Sequence, residues 1–251
     1  MKQYSVRIHI SATMLMVAGV AWAAPRLVIP ETTFNFGFVP QNSKLSHVFL
    51  LESRGEDSLH ILKVVPGCGC TQAPLEKSAL AAGESTRLEV IFDTRHYTGK
   101  VTKRPTIQTN EGPPDKFVQF DCEVMSRPDS TYPVVITPYK LDISQFGEKV
   151  RDQMKFKIAN LSEEALTVTA CSVPDDFVTL TLPSSVPPSG SAEGTIKLKS
   201  DVLKKQFEKS ITIQLGDAKN TRFTIPVKRS LRLPGDTTQA AEVQGKSIET
   251  R

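Results

Sequence analysis

Apolar and polar residues alternate in short runs along most of the chain. His47 to Leu51 (HVFLL), Arg87 to Phe92 (RLEVIF) and Phe117 to Val124 (FVQFDCEV) read this way, as do Met154 to Ile158, Leu166 to Ala170, Thr195 to Leu198, Ile211 to Leu215 and Phe223 to Val227. Successive side chains of a strand point to opposite faces, so each run predicts a strand with one face on a core. Turn-forming clusters separate the runs: Ser53-Arg54-Gly55-Glu56-Asp57, Thr109-Asn110-Glu111-Gly112-Pro113-Pro114, Leu161-Ser162-Glu163-Glu164 and Gly216-Asp217-Ala218. No core helix is predicted; the short Ala79 to Ala82 run ends at Gly83. About seven short strands per roughly 100 residues predict an all-β chain built of immunoglobulin-like β-sandwiches. The Cys, Trp and Cys spacing of antibody domains is absent, since the single tryptophan is Trp22.

The pattern occurs twice. Phe49 and Phe156, Leu59 and Leu166, Val64 and Cys171, and Gly83 and Gly190 are each 107 residues apart, while Leu88 matches Ile196 at 108 and Phe117 matches Phe223 at 106. Such register implies an internal duplication with small loop changes. Two tandem domains are expected, over 27–125 and 132–230. They are joined by a linker at 126–131 whose Pro128 and polar residues interrupt the alternation. The apolar pattern stops after Leu233-Pro234-Gly235, and residues 231–251 are expected to be a disordered tail.

The first 23 residues change the setting. Lys2 and Arg7 precede an apolar run from Met14 to Trp22 that ends in Ala21-Trp22-Ala23, the layout of a cleavable secretory signal peptide. The run falls short of the roughly 20 residues of a membrane helix. Cleavage after Ala23, a periplasmic or secreted location and no transmembrane span in the mature chain are expected; the alternative is an uncleaved anchor. Losing Lys2 and Arg7 lowers the formal net charge from +4 to +2. So small a charge gives no support to nucleic-acid binding, which needs concentrated basic residues.

Catalytic motifs are missing. The chain has no Gly-rich phosphate loop with Lys-Ser or Lys-Thr, no His-Glu-x-x-His and no Gly-x-Ser-x-Gly. Asp175 and Asp176 are adjacent, which in a strand would turn them to opposite faces, so they read as a solvated turn. The expectation is a protein that is not an enzyme and needs no cofactor.

The one candidate chemical site is Val64 to Gln72, VVPGCGCTQ. Pro66 and Gly67 end a strand, and Gly69 lets the chain bend so that Cys68 and Cys70 approach each other. Four readings stay open: a disulfide suited to an oxidising compartment, a reducible thiol-exchange pair, a copper or zinc site of soft thiolates, and two packed thiols. Counting strand directions puts the loop Thr94-Arg95-His96-Tyr97-Thr98-Gly99 at the same end, so His96 is the candidate third ligand to a metal on Cys68 and Cys70. The same count turns this end toward the junction with the second domain. Cys122 falls on the apolar phase of its strand, and Cys171 replaces Val64 in the repeat, so both are expected to face the core. His47 and His60 are read as structural.

Phe34-Asn35-Phe36-Gly37, Phe49, Leu59, Ile61, Cys68-Gly69-Cys70-Thr71, Gly83-Glu84-Ser85, Phe92-Asp93 and Thr109-Asn110 together resemble a family of secreted bacterial proteins known only as a domain of unknown function. That family is distantly similar to Hydin-like and major-sperm-protein-like sandwiches. The resemblance covers about 30–125; in the second copy Cys171-Ser172-Val173-Pro174-Asp175 replaces the motif. It implies an immunoglobulin-like fold and export. The leading functional expectation is an exported, non-enzymatic binding or assembly module that contacts another envelope or extracellular protein. Two alternatives are a periplasmic copper, zinc or thiol-disulfide protein using Cys68 and Cys70, and an edge-strand donor resembling the pilus chaperones.

Overall fold

A computed structural model describes residues 24–232; the expected signal peptide and residues 233–251 of the tail lie outside the described residues. The first half contains eleven strands: β1 Leu27–Val28, β2 Thr33–Pro40, β3 Lys44–Ser53, β4 Leu59–Val65, β5 Thr71–Gln72, β6 Ala79–Leu80, β7 Ser85–Asp93, β8 Gly99–Lys103, β9 Thr106–Thr109, β10 Lys116–Phe117 and β11 Gln119–Met125. A short 3-10 turn, Pro128–Ser130, leads into the second half. There follow β12 Val134–Thr137, β13 Leu141–Asp142, β14 Gln145–Phe146, β15 Gln153–Asn160, β16 Leu166–Ser172, β17 Val178–Thr181, β18 Ser185–Val186, β19 Ser191–Leu198, β20 Phe207–Leu215, β21 Arg222–Arg229 and β22 Leu231–Arg232. The protein is all-β and sandwich-built, as the alternation predicts. Leu231 and Arg232, read from sequence as tail, pair with Gln145 and Phe146.

The two halves share a pattern of hydrogen bonding. One sheet of the first half runs β1-β3-β7-β5, and its counterpart runs β12-β15-β19-β17. The opposite sheets repeat too, since β4 pairs with β9 and β6 as β16 pairs with β20 and β18. A parallel pairing of β2 with β11 likewise recurs as β13 with β21. Buried apolar side chains form two clusters, one drawn from Leu27 to Val124 with Phe34, Phe36, Phe49, Phe92 and Phe120, the other from Val134 to Val227 with Phe156 and Phe223.

The halves are not beads on a string. One sheet runs β18-β16-β20-β21-β2-β11-β8, so a strand of each half meets at β21 and β2, through the parallel register of Phe38 with Phe223. Around this contact side-chain hydroxyls complete the backbone bonding. Ser210 Oγ accepts from the Ser46 N–H (2.9 Å) and donates to the Ser46 carbonyl (3.0 Å), so one serine on β20 stands in for the strand that β3 lacks there. Thr224 Oγ1 donates to the Phe36 carbonyl (2.6 Å) and lies 2.8 Å from Thr212 Oγ1. Each of these hydroxyls is buried, and leaving one such backbone group unpaired would cost about 1–3 kcal/mol.

The Phe34-Asn35-Phe36-Gly37 stretch is shaped for this seam. Opposite Asp121 and Cys122, β2 bulges by one residue at Phe36. Gly37 takes φ +66°, its N–H held by Asn35 Oδ1 (2.7 Å), and a Cβ there would overlap the Arg222 carbonyl. Close approach of the two backbones therefore requires glycine.

His47 also belongs to the seam. Its ring stacks on Phe34 (centroids 3.6 Å apart) and meets Phe49 edge-on, while Nδ1 lies 3.0 Å from Ser172 Oγ of the second half. Nε2 is buried without a hydrogen-bond partner; the nearest carboxylate, Glu31, is 3.5 Å away and itself 54% exposed. Burial wins over that carboxylate: desolvation, aided by the Arg222 charge, pushes the His47 pKa down to about 4, so the ring is neutral at neutral pH.

Two outcomes follow from the seam. Gly37→Ala should lower unfolding stability by about 2–4 kcal/mol, read from the urea midpoint, because it adds both left-handed strain and backbone overlap. Between pH 6.5 and about 4 the unfolded chain binds a proton at His47 that the folded chain refuses. Stability should therefore fall as pH drops through that window, by on the order of 3 kcal/mol, and should be unaffected by this group above it. His47→Gln should flatten that slope in denaturation curves taken at half-unit pH steps.

Candidate functional site

The Cys-Gly-Cys-Thr loop begins where β4 ends, at Pro66 and Gly67, the latter at φ +85°. Thr71 and Gln72 then join the sheet as β5, in register with Phe92 and Ile91 of β7, and the Asp93 N–H donates to the Cys70 carbonyl (2.9 Å). Cys70 is thus fixed to a strand, whereas Cys68 lies in the turn, its carbonyl receiving the Thr71 N–H (3.3 Å). The structure brings the two cysteines together, joined through their sulfurs with Cα atoms 5.3 Å apart.

A tyrosine completes this end. Tyr97 O–H donates to Cys70 Sγ (3.1 Å), and Lys103 Nζ donates to the Tyr97 oxygen (3.2 Å) while standing 4.7 Å from the ring centroid. Tyr97 is held by packing on Phe92 (centroids 5.1 Å), by its N–H to the Thr94 carbonyl and by Gln41 Nε2 on its own carbonyl. Thr71 Oγ1 is 3.3 Å from Cys68 Sγ and 3.7 Å from Cys70 Sγ. The loop count placed the 94–99 segment at this end, but the residue that reaches the pair is Tyr97 rather than His96. His96 is exposed, and among the described residues no three His, Cys, Asp or Glu side chains are gathered as for a metal ion. A loop has no fixed side-chain phase, so sequence could locate the segment without selecting the residue.

This end does adjoin the passage to the second half. The Gln41 N–H donates to the Met125 carbonyl (3.1 Å), and Lys140 Nζ donates to the carbonyls of Gln41 (2.7 Å) and Asn42 (3.0 Å).

The other two cysteines differ from each other. Cys122 is buried as its phase predicts, and burial, reinforced by Asp121 against Lys103, pushes its thiol pKa up to about 12. Cys171, expected to face the core, is exposed. The repeat match misplaces it: in the first copy a bulge at Leu62, between Ile61 and Lys63, brings Val64 against the core. In the second copy Leu166 and Val168 face inward, Thr167, Thr169 and Cys171 fall on the outward phase, and the bulge comes only at Cys171 itself. Its thiol is nonetheless raised above the usual range, by partial burial and the Glu31 charge against Arg222.

Cys171 borders a cleft of about 540 Å³ whose walls come from both halves. Across it Arg87 Nη1 pairs with Asp176 (2.6 Å), and deeper Lys209 Nζ bridges both Glu89 oxygens (2.6 and 2.7 Å) with side chains only 15% and 20% exposed. The Asp175-Asp176 turn, exposed as expected, therefore contributes an ion pair between the halves. No sequence motif signals this cleft, because its residues are scattered over four strands and two loops of both halves.

Among the described residues no helix is long and apolar enough to cross a membrane. No curated protein matches the chain in sequence. Among solved structures it is similar to a protein of unknown function from Porphyromonas gingivalis W83, with 17% identity over 82% of this chain and 99% of that one and a TM-score of 0.34. It is also similar to the ASH/PapD-like domain 7 of human CEP192 (10% identity, 48% and 99% covered, TM-score 0.34) and to the Escherichia coli chaperone DraB (9% identity, 81% and 98% covered, TM-score 0.31). Likenesses this distant carry no functional argument. Residues 27–124 match the family described as protein of unknown function (DUF1573), so the first sandwich, with its Cys-Gly-Cys-Thr loop, bears out the resemblance to a domain of unknown function.

Proposed function

We propose that the protein is an exported, non-enzymatic binding or assembly module that presents both halves as one surface to another envelope or extracellular protein. The observation that carries this reading is the cleft between the halves, whose charged walls are held in place by the seam rather than by a flexible linker. Export rests on the N-terminal sequence. A surface fixed in advance loses little freedom on binding, which favours affinity without a large apolar patch.

Cys171 supplies the probe. A benzophenone maleimide attached there should, in the native envelope, crosslink to one discrete protein, and Arg87→Glu should abolish that adduct while leaving labelling unchanged. A ladder of unrelated adducts, or one insensitive to Arg87→Glu, would overturn the reading.

A second reading is favoured by a specific observation, the hydrogen bond from Tyr97 to Cys70. A hydroxyl aimed at one sulfur of a close pair suits a thiol-disulfide function, because it stabilises the thiolate formed on reduction. On this reading, native protein should take up one alkyl group, slowly, at Cys171; mild reductant should add two, at Cys68 and Cys70, and Cys122 should label only on unfolding. Intact-mass spectra before and after reduction read these counts directly. Release of the second and third labels by chelator instead of reductant would point to bound metal.

A further inference from the structure

We infer that the Cys68–Cys70 pair is polarised: an incoming thiolate attacks Cys68 Sγ, and Cys70 is the sulfur expelled, its charge received by Tyr97, which Lys103 positions. The inference rests on the thiol-disulfide reading.

The two sulfurs have unlike surroundings. Cys70 is anchored by the Asp93 N–H, packs against the first-half core and receives the Tyr97 hydroxyl. Cys68 lies in the turn between Gly67 and Gly69, is not part of that core, and nothing stands within 4 Å of where a Cβ on Gly69 would lie. Thr71 Oγ1 is nearer Cys68 Sγ (3.3 Å) than Cys70 Sγ (3.7 Å) and so leans the other way. The shorter Tyr97 contact with Cys70 (3.1 Å) outweighs it. The Tyr97 oxygen accepts from the Lys103 ammonium, which leaves the phenolic proton directed to Cys70 and makes that O–H a stronger donor. Exchange is faster when the leaving sulfur is the better stabilised thiolate.

The step balances with a dithiol as partner. Its first thiolate forms a sulfur–sulfur bond to Cys68 as the Cys68–Cys70 bond breaks, and the electron pair departs on Cys70 Sγ, hydrogen-bonded by Tyr97. The partner's second thiol, deprotonated to solvent, then attacks its own sulfur in the mixed disulfide and expels Cys68 as thiolate. Two electrons pass to the protein, the partner becomes a disulfide, and the protons lost by the partner match those the two cysteines take up from solvent. Run backward, the same polarity makes Cys68 the cysteine that carries a mixed disulfide when the reduced pair reduces a client disulfide, Cys70 then closing the protein's own bridge and releasing the client as a dithiol.

The test uses the full mature chain bearing Cys171→Ser, with glutathione as probe. Oxidised protein is exposed briefly to reduced glutathione at pH 7, quenched with N-ethylmaleimide and mapped by peptide mass. Glutathione should lie on Cys68 with maleimide on Cys70, in at least about tenfold excess over the reverse arrangement. Tyr97→Phe, which keeps the ring on Phe92, should slow this reduction about threefold to tenfold and move alkylation of Cys70 in the reduced protein to higher pH. Lys103→Met should shift the same profile in the same direction, and Lys103→Arg should restore it. Equal or reversed placement of glutathione, or an unchanged Cys70 profile in Tyr97→Phe, overturns the polarity alone. A pair that neither glutathione nor dithiothreitol opens in the folded protein overturns the thiol-disulfide reading and the polarity with it.

Discussion

Everything that joins the two halves depends on how the unpaired backbone groups of β2 and β3 are satisfied. A bulge at Phe36 frees one carbonyl, and β3 at Ser46 has an outward N–H and carbonyl with no neighbouring strand. Water could satisfy these groups only if they stayed exposed, and burial without a partner would be costly. The second half supplies hydroxyls instead, Ser210 for Ser46 and Thr224 for Phe36. Once those bonds form, Phe38 and Phe223 come into register and the two sandwiches share a sheet. Gly37 is the geometric condition for that approach, and a neutral His47 is its electrostatic condition.

The cleft and the cysteine loop are ordered differently. Arg87, Glu89, Asp176 and Lys209 face one another because the seam sets the halves side by side, so the cleft walls are ion pairs between copies. The cysteine loop draws its order from the first half alone: β5 on β7 fixes Cys70, and the Phe92–Tyr97 contact fixes the hydroxyl that reaches it. Gln41 ties that loop to the second half, its carbonyl accepting from Lys140 and its Nε2 donating to the Tyr97 carbonyl.

Period-two alternation revealed the strands and their inward residues, because packing against a core imposes that period. It could not reveal the seam. Ser210 and Thr212 on β20, and Thr224 on β21, alternate with apolar residues as a solvent face does, yet they are buried against the first half. A polar face hidden by hydroxyl-to-backbone bonds looks the same in sequence as one facing water. Cys171 misled for a related reason: matching it to Val64 assumes that both copies keep one phase, but the first copy bulges at Leu62 and the second at Cys171, and no glycine or proline marks either shift. Of the cysteine end, the loops were legible and the contacts within them were not. Neither the Tyr97 hydroxyl nor the Lys103 behind it follows from spacing.

The shared sheet bears also on how such a duplication can be taken apart. Severing the chain at Arg127 would bare β2 on one fragment and β21 on the other, each a strand margin lined with aromatic side chains at Phe38 and Phe223. Open margins of that kind recruit strands from other molecules, and each fragment would be a template for self-association and aggregation. The second half is therefore a protective edge for the first, and the first half on its own would need some other guard on the same flank.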